Sequence, residues 1–470
     1  MADICVIGAG PAGSTFAARM AQLGHAVWIV ERARFPRRHL GESLSPGVLP
    51  LLETFGAREA VESAGFRRVG DVLVKWDSEL QIREESREEA LIVDRGEFDQ
   101  LLLARAKALG VRVLQPARVL ERRSNEQGWI VDVCSDNGRM KLVVDFLVDA
   151  RGRTSSTQQR RRTGANTLAL YAYWRGRNLP REPRIEAGDD AWYWGVPLPD
   201  GTYNTLVFVD VEQFRAARYG SVTKAFLELL SRSGLMTACR DVHLASAVHA
   251  TDATPYVHDD SVTPSSIRVG EAALAIDPIS SSGVQKAIQN ALGAAVVTNT
   301  LLRSPSSSEH AMRFYTSNIA DASERHAKWA ASHYARVAER HGGKFWNDRG
   351  MQREVESAPP PAPQVDASAL VHTAVTLSGR LEFVEMPCIE GDYVTVKRAL
   401  QHPHLDGPIV YLGGRELAPL LQEVRAGSTP VQLAQSWADR VPLRSGLAIV
   451  GWLFNNGLLV AQHTIPERTQ

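Results

Sequence analysis

Cysteine is nearly missing from this chain: there are four in 470 residues, Cys5, Cys134, Cys239 and Cys388, and no two form a C-x-x-C pair. Such scatter argues against a disulfide framework or a thiolate zinc site, and it makes the cytoplasm the natural compartment. Excess charge is missing too, with Lys+Arg and Asp+Glu at 53 each. A basic nucleic-acid binder is therefore not expected, and no nucleic-acid partner is assigned. No apolar run approaches the roughly 20 residues that cross a bilayer. Met1–Gly8 enters an apolar strand pattern without the basic segment of a signal peptide. No membrane partner is expected either. What is present is a balance of 44% hydrophobic and 23% charged residues. At roughly 100–200 residues per domain, the length allows two to four domains.

The first signal is at the start. Asp3–Gly8 is a β-branched run that stops at glycine, followed by Gly8-Ala9-Gly10-Pro11-Ala12-Gly13 and an apolar-periodic stretch over Ser14–Leu23. A second run, Ala26–Val30, ends at Glu31-Arg32. This order predicts strand, glycine turn, helix, strand and acid, the dinucleotide fingerprint. Gly8 serves the tight turn, Gly10 the backbone approach to a pyrophosphate, and Gly13 close helix–strand packing. The helix N-terminus offers free N–H groups to phosphate, and Glu31 stands where a carboxylate holds a ribose hydroxyl.

Three later segments repeat the strand–turn logic. Leu91–Asp94 precedes a helix opening at Arg95-Gly96-Glu97-Phe98-Asp99. Leu142–Val148 runs into Asp149-Ala150-Arg151-Gly152. Ile267–Ile276, read as one strand, leads through Asp277-Pro278-Ile279-Ser280-Ser281-Ser282-Gly283-Val284 into a helix of small residues. As a bland alternative, Asp277-Pro278 is only a turn with a capping aspartate.

Together these segments resemble the flavoprotein monooxygenases of the p-hydroxybenzoate hydroxylase fold, with the flavin-dependent halogenases and geranylgeranyl reductases that share it. The resemblance implies FAD as cofactor and O2 as co-substrate, with NAD(P)H or an external flavin reductase supplying electrons. Beside FAD it puts Gly8, Gly10, Pro11, Ala12, Gly13, Glu31, Arg32, Arg38, Glu42, Ser43, Arg95, Asp277, Pro278, Gly283 and Val284. It implies an α/β fold: a Rossmann-like FAD-binding domain over 1–65, 94–164 and 261–300, with an inserted antiparallel β-sheet substrate domain over 66–93 and 165–260. A helical segment over 301–350 follows.

Two stretches point to the halogenase branch. Phe35–Gly47 is similar to the segment those enzymes place near flavin, and Ala191-Trp192-Tyr193-Trp194-Gly195-Val196-Pro197 is close to their Gly-Trp-x-Trp-x-Ile-Pro motif. Their essential lysine stands in Lys-x-Gly on a strand leading into Trp-Gly. Here the matching run is Arg68-Val69-Gly70 through Lys75-Trp76-Asp77, with Arg68 in the lysine's place. A guanidinium stays protonated and is a poor nucleophile, so direct hydroxylation is expected instead of halogenation. Arg68, Trp192 and Trp194 are the catalytic candidates. The two tryptophans also fit a plain core role, as alternate residues on one strand face.

Composition breaks at Pro359-Pro360-Pro361-Ala362-Pro363, inside a linker expected over 351–365. Beyond it, over 366–470, strands at Val394–Val410 and Val410–Leu412 precede helices at Glu416–Val424, Val431–Trp437 and Leu443–Leu453. This order resembles the small winged-helix domains that capture leader peptides. The helix Val431–Trp437 carries no Lys or Arg, against a DNA-reading role. Combined with the halogenase-like core, the pattern resembles the flavin monooxygenases that mature quinohemoprotein amine dehydrogenase by oxygenating tryptophan within a protein. The resemblance implies a peptide or small protein substrate, with or without a leader peptide. Two alternatives stand beside it: hydroxylation or halogenation of a small or carrier-bound aromatic metabolite, and a flavin-binding sensor whose winged helix contacts DNA.

Overall fold

Asp3–Ile7 runs through the middle of a six-stranded sheet in the order Val262–Thr263, Ser266–Arg268, Phe146–Asp149, Asp3–Ile7, Ala26–Val30, Arg112–Leu114. The computed structural model describes residues 3–77, 79–84, 90–126, 128–155, 158–239, 242–351 and 373–462. All but the first of the six strands pair in parallel, with Ile4 opposite Val27 and Phe146. Ile4, Cys5 and Val6 are fully buried, as parallel strands covered on both faces must be. Helix Pro11–Gln22 packs between Arg95–Ala108 and Gly283–Arg303.

A second sheet is assembled from 71–84 and 167–252. Its order is His243–Leu244, Thr167–Arg175, Tyr203–Asp210, Ala191–Pro197, Arg184–Ala187, Asp71–Lys75, Gln81–Glu84, with His249–Asp252 also on Thr167–Arg175. The expected antiparallel sheet is in fact mixed, because Arg184–Ala187 and Asp71–Lys75 pair in parallel. These two strands come from separate passes of the chain, so no hairpin forces them antiparallel. Period-two alternation sends Leu170, Ala172, Tyr193 and Val207 against helix Val222–Leu230. Ala169, Trp192, Leu206 and Phe208 go to the opposite face, where helices Ser308–His341 and Gly343–Gly350 supply Tyr334, Phe345 and Trp346.

The single strand expected over Ile267–Ile276 is broken. Ser266–Arg268 ends at Gly270, whose φ is +60°, and a 3-10 turn over Gly270–Ala272 precedes the short strand Leu274–Ala275. Only glycine enters that left-handed turn cheaply.

The chain divides into two compact units, Met1–Arg353 and Glu354–Gln470. The proline run at 359–363 lies outside the described residues. In the second unit a hairpin of Glu382–Glu390 and Tyr393–Gln401 precedes three helices, and Val375–Leu377 pairs with Leu459–Ala461. The strand expected to run to Val410 stops at Gln401, just before His402-Pro403. The helix expected over Glu416–Val424 shrinks to Ala418–Leu421 because Arg415–Glu416 pairs as a strand with Tyr411–Leu412. Thr429 caps Pro430–Ser436 in a reciprocal box with Gln432. Gly446, Ile449, Val450 and Leu453 form the buried face of the last helix, and Leu447 is 41% exposed. No wing hairpin follows this helix among the described residues. The unit has its own core around Leu417, Leu421, Leu433, Trp437 and Leu453.

Candidate active site: a dinucleotide cleft with an aromatic end

A cleft of about 940 Å³ opens at the C-terminal ends of the parallel strands and continues along the mixed sheet. Of the residues singled out in the sequence, Gly8, Gly10, Pro11, Ala12, Glu31, Arg32, Arg38, Glu42, Ser43, Arg95, Trp192, Trp194, Asp277, Pro278, Gly283 and Val284 all line it. Gly13 and Arg68 do not.

At one end the three glycines of the turn divide their work. Gly8 has φ +106°, and a Cβ there would stand 2.6 Å from the Ala150 carbonyl oxygen. At Gly13 a Cβ would lie 2.0 Å from the Gly8 carbonyl oxygen. Both positions serve the packing. A Cβ on Gly10 would meet nothing closer than the Arg37 guanidinium, at 3.7 Å. Gly10 therefore leaves a bare backbone cradle facing the cleft, at the N-cap of a helix with no side-chain cap. Unpaired N–H groups in such a place suit a pyrophosphate.

Glu31 is buried. Its Oε2 accepts the Ala9 N–H at 2.7 Å and its Oε1 the Ala33 N–H at 2.8 Å. A carboxylate has about four acceptor positions, so lone pairs remain for a ribose hydroxyl. Arg37 lies beside the cradle, paired with Asp99 at 3.3 Å and 4.9 Å from the Phe35 ring centroid. The sequence reading took Arg38 from this run and missed Arg37. The one available signal was the adjacency of the two arginines. Arg95 is 5% exposed, grips Asp99 at 3.1 Å and donates to the Leu40 carbonyl, bracing the loop that carries these groups.

The other end is aromatic. Trp192 stacks face to face on Phe208 at 3.7 Å and meets Trp76 edge-on at 6.1 Å. Trp76 in turn abuts Trp346 at 5.6 Å and donates its indole N–H to the His333 carbonyl. Asp277 caps the Ile279 N–H at 3.0 Å and accepts the Tyr334 hydroxyl at 2.8 Å. Burial pushes its carboxyl up, against the pull of these two bonds and of Arg349. Glu42 accepts the Tyr173 hydroxyl at 2.8 Å and the Asn204 amide at 3.1 Å, tying the 35–43 loop to the mixed sheet. Tyr173, Asn204, Tyr334 and Trp346 had no local signal in the sequence.

The cations near this end are dispersed. Arg68 is half exposed on the strand Arg67–Arg68, 3.9 Å from Glu62 and away from the cleft lining. Lys75 bonds Glu186 at 3.1 Å. The one lysine that does line the cleft is Lys286, on helix Gly283–Arg303 and missed in the sequence, with Nζ 3.3 Å from Gln289 Oε1. The cradle at Gly10, the Glu31 acceptor and the capped turn at Asp277 fit FAD. No group of His, Cys, Asp or Glu among the described residues could hold a metal ion.

Residues 74–362 match the family model described as tryptophan halogenase. The chain belongs to that family. A tryptophan 2-halogenase from Chondromyces crocatus is 32% identical over 373 residues, covering 75% of this chain and 71% of its own. Among solved structures, the peptidyl tryptophan dihydroxylase QhpG, essential for tryptophylquinone cofactor biogenesis, aligns at 28% identity with a TM-score of 0.74, covering 97% of this chain and 99% of its own. The flavin-dependent halogenase CmlS aligns at 20% identity and TM-score 0.78 over 98% and 96%, a likeness of fold alone. A tryptophan-halogenase-family chain is an FAD enzyme that acts with O2 on aromatic substrates, so the non-enzymatic sensor reading falls. Both solved neighbours also span the C-terminal unit, and its presence does not separate hydroxylase from halogenase. No helix among the described residues is long and apolar enough to cross a membrane.

Proposed function

We propose that this chain is an FAD-dependent monooxygenase that hydroxylates an aromatic ring, a tryptophan side chain held in a peptide or small protein. The reading rests on the end-to-end likeness to QhpG at 28% identity, above that to the halogenase CmlS at 20%. Bound FAD supplies the activated oxygen. The chain's own residues would bind and orient it: Gly10 and Arg37 would hold the pyrophosphate, Glu31 a ribose hydroxyl, and the helix opening at Gly283 the flavin. Trp192 and Phe208, stacked at 3.7 Å, form an apolar wall that keeps water from the reacting ring. Electrons come from NAD(P)H or a partner reductase. Tryptophylquinone biogenesis is the pathway class to which such a peptide hydroxylation belongs.

Halogenation of a small or carrier-bound aromatic is the second reading. It is favoured by the 32% identity to a halogenase and by Lys286 on the cleft lining. The reduced holoenzyme, given O2, bromide and either a synthetic tryptophan peptide or free aromatic acids, separates the two. Mass gained only in oxygen units on the peptide supports hydroxylation. A brominated product overturns it, and with it the matching of Arg68 to the halogenase lysine.

A further inference from the structure

A second cavity of about 370 Å³ adjoins the cleft, with Tyr173, Arg175, Thr202 and His243 on its wall. Arg38, His39, Glu42 and Arg95 line both cavities, so they form the partition between them. Arg95 is committed to Asp99. Glu42 is different. Its side chain is 5% exposed, and its contacts are all hydrogen-bond donors from neutral groups: the Tyr173 hydroxyl at 2.8 Å and Asn204 amide at 3.1 Å on Oε1, and the Gly41 N–H at 2.9 Å on Oε2. A carboxylate fixed between an aromatic-walled cleft and a polar vestibule can collect a proton on one side and release it on the other.

We propose that Glu42 is the proton acceptor of the reaction and that the side cavity, through the Tyr173 hydroxyl, is the route by which that proton reaches solvent. Electrophilic oxygenation needs such a group. A C–O bond forms at a ring carbon as the O–O bond of dioxygen breaks, with two electrons from the reduced cofactor. With protons from that cofactor and solvent, the delivered oxygen becomes a hydroxyl and the second oxygen leaves as water. The C–H bond at that carbon then breaks. Its electron pair restores the aromatic ring, and its proton goes to the Glu42 carboxylate. The inference rests on the proposed attack upon an aromatic ring, and it holds equally if the atom delivered is a halogen.

The surroundings support the role. Burial pushes the Glu42 carboxyl up, and the Tyr173 hydroxyl, the backbone N–H groups of Glu42 and Gly41, and Arg95 only partly oppose it. Tyr171 and Tyr173, from the strand Thr167–Arg175, both face its charge, and burial with that charge holds their phenols protonated. Arg38 lies 5.7 Å from the Tyr173 ring centroid. His39, on the same loop, is solvent-exposed, and partial desolvation of its ring together with Arg95 lowers its imidazole. Tyr173 thus has a proton to pass, and Glu42 is a stronger base than an exposed carboxylate.

The structural alternative is a knot that merely ties the loop to the sheet. Glu42→Gln keeps an acceptor for Tyr173 and Asn204 and removes only the basicity. The expected result is retained FAD and turnover of a synthetic tryptophan peptide lowered by about 10²-fold or more. Ring deuteration of that tryptophan should slow the variant and leave the wild type unaffected, because ring-proton loss becomes limiting only without the base. An unchanged rate, or a slow variant without an isotope effect, overturns the proposal. A second measurement needs no substrate: the visible absorption of the holoenzyme followed against pH. Wild type should inflect above the ordinary carboxylate range and Glu42→Gln should not. Tyr173→Phe should inflect at higher pH than wild type, since the lost hydrogen bond favoured the charged form. An inflection that survives Glu42→Gln, or that Tyr173→Phe leaves in place, overturns it as well. Product identity, oxygenated or brominated, tests the hydroxylase reading separately.

Discussion

The carboxylates behind one end of the cleft and on the other stand in opposite electrostatic states. Behind the nucleotide end, outside the cleft lining, Asp149 meets Arg151, which does line it, at 2.7 Å, Arg268 at 3.2 Å and Arg122 at 3.6 Å. Burial alone would raise its carboxyl, but Arg151 and Ser155 overcome that and hold it down at about 2. At the ring end neither Glu42 nor Asp277 forms an ion pair with an arginine among the described residues, and burial pushes both up against the more distant Arg95 and Arg349. An end crowded with fixed cations suits a diphosphate. One whose carboxyls are raised by burial suits proton transfer. The cleft is specialised along its length by where its arginines are spent.

The largest effects should fall on the glycine turn, and they divide two residues that look alike in the sequence. Gly13→Val forces a side chain against the Gly8 carbonyl, 2.0 Å from the first added carbon. The expected loss is about 3 kcal/mol or more, much of a domain's margin. Gly10→Val meets open space, its nearest neighbour 3.7 Å away. That variant should melt within a few degrees of wild type yet purify colourless. Thermal unfolding and the flavin-to-protein absorbance ratio check both. A yellow Gly10→Val, or a well-folded Gly13→Val, would break the division of labour.

The nucleotide end was legible because its determinants are local: strand, turn, helix, strand and acid follow within Asp3–Glu31, and each glycine has a backbone reason to be there. The ring end was only half legible. Trp192 and Trp194 stood out by alternation, but what gives them and Glu42 their setting comes from far along the chain. Tyr173 lies 131 residues from Glu42, Asn204 lies 162, and Tyr334 lies 57 from Asp277. No period or motif announces such pairings. Arg68 misled for the same reason: a motif fixes its order along the chain, whereas the fold turns it toward Glu62 and solvent. The mixed pairing of Arg184–Ala187 with Asp71–Lys75 likewise follows from a tertiary partner, whereas the break at Gly270 is a local glycine turn.

A smaller effect should show in acid. Asp149 has its folded value lowered from 3.8 to about 2, so its stabilisation is present above pH 4 and is lost as pH falls through about 2. The shift corresponds to about 2 kcal/mol. Asp277 has the opposite sign. Its folded value is raised, so its contribution is complete below the unfolded value and fades as pH rises through the folded one. Thermal unfolding of Asp149→Asn and Asp277→Asn against pH should therefore give stability differences from wild type that change in opposite directions. Asp149→Asn should lose its disadvantage toward pH 2, and Asp277→Asn should lose its own as pH rises. Parallel curves would show that the two ends are electrostatically alike.

The smallest effect on bound flavin is expected from the C-terminal unit. Among the described residues, the cleft lining ends at Ala287, and the core of the second unit runs from Val375 to Leu459. A chain ending at Pro363 should therefore keep its FAD and its reduction by dithionite. Its substrate should suffer more. On the proposed reading a tryptophan embedded in a polypeptide must reach the flavin while the rest of its chain stays outside, so affinity at the cleft alone is weak. A second site on a tether raises the local concentration to roughly millimolar for a short linker, with no new contact at the flavin. The truncated enzyme should show a raised KM for a tryptophan peptide and a nearly unchanged kcat. Turnover of a free aromatic acid, which gains nothing from the tether, should not move. Equal KM values for the peptide in both chains would remove the docking role. Loss of FAD would instead make the second unit a structural support for the first, and the span shared with a halogenase fold would then have its explanation.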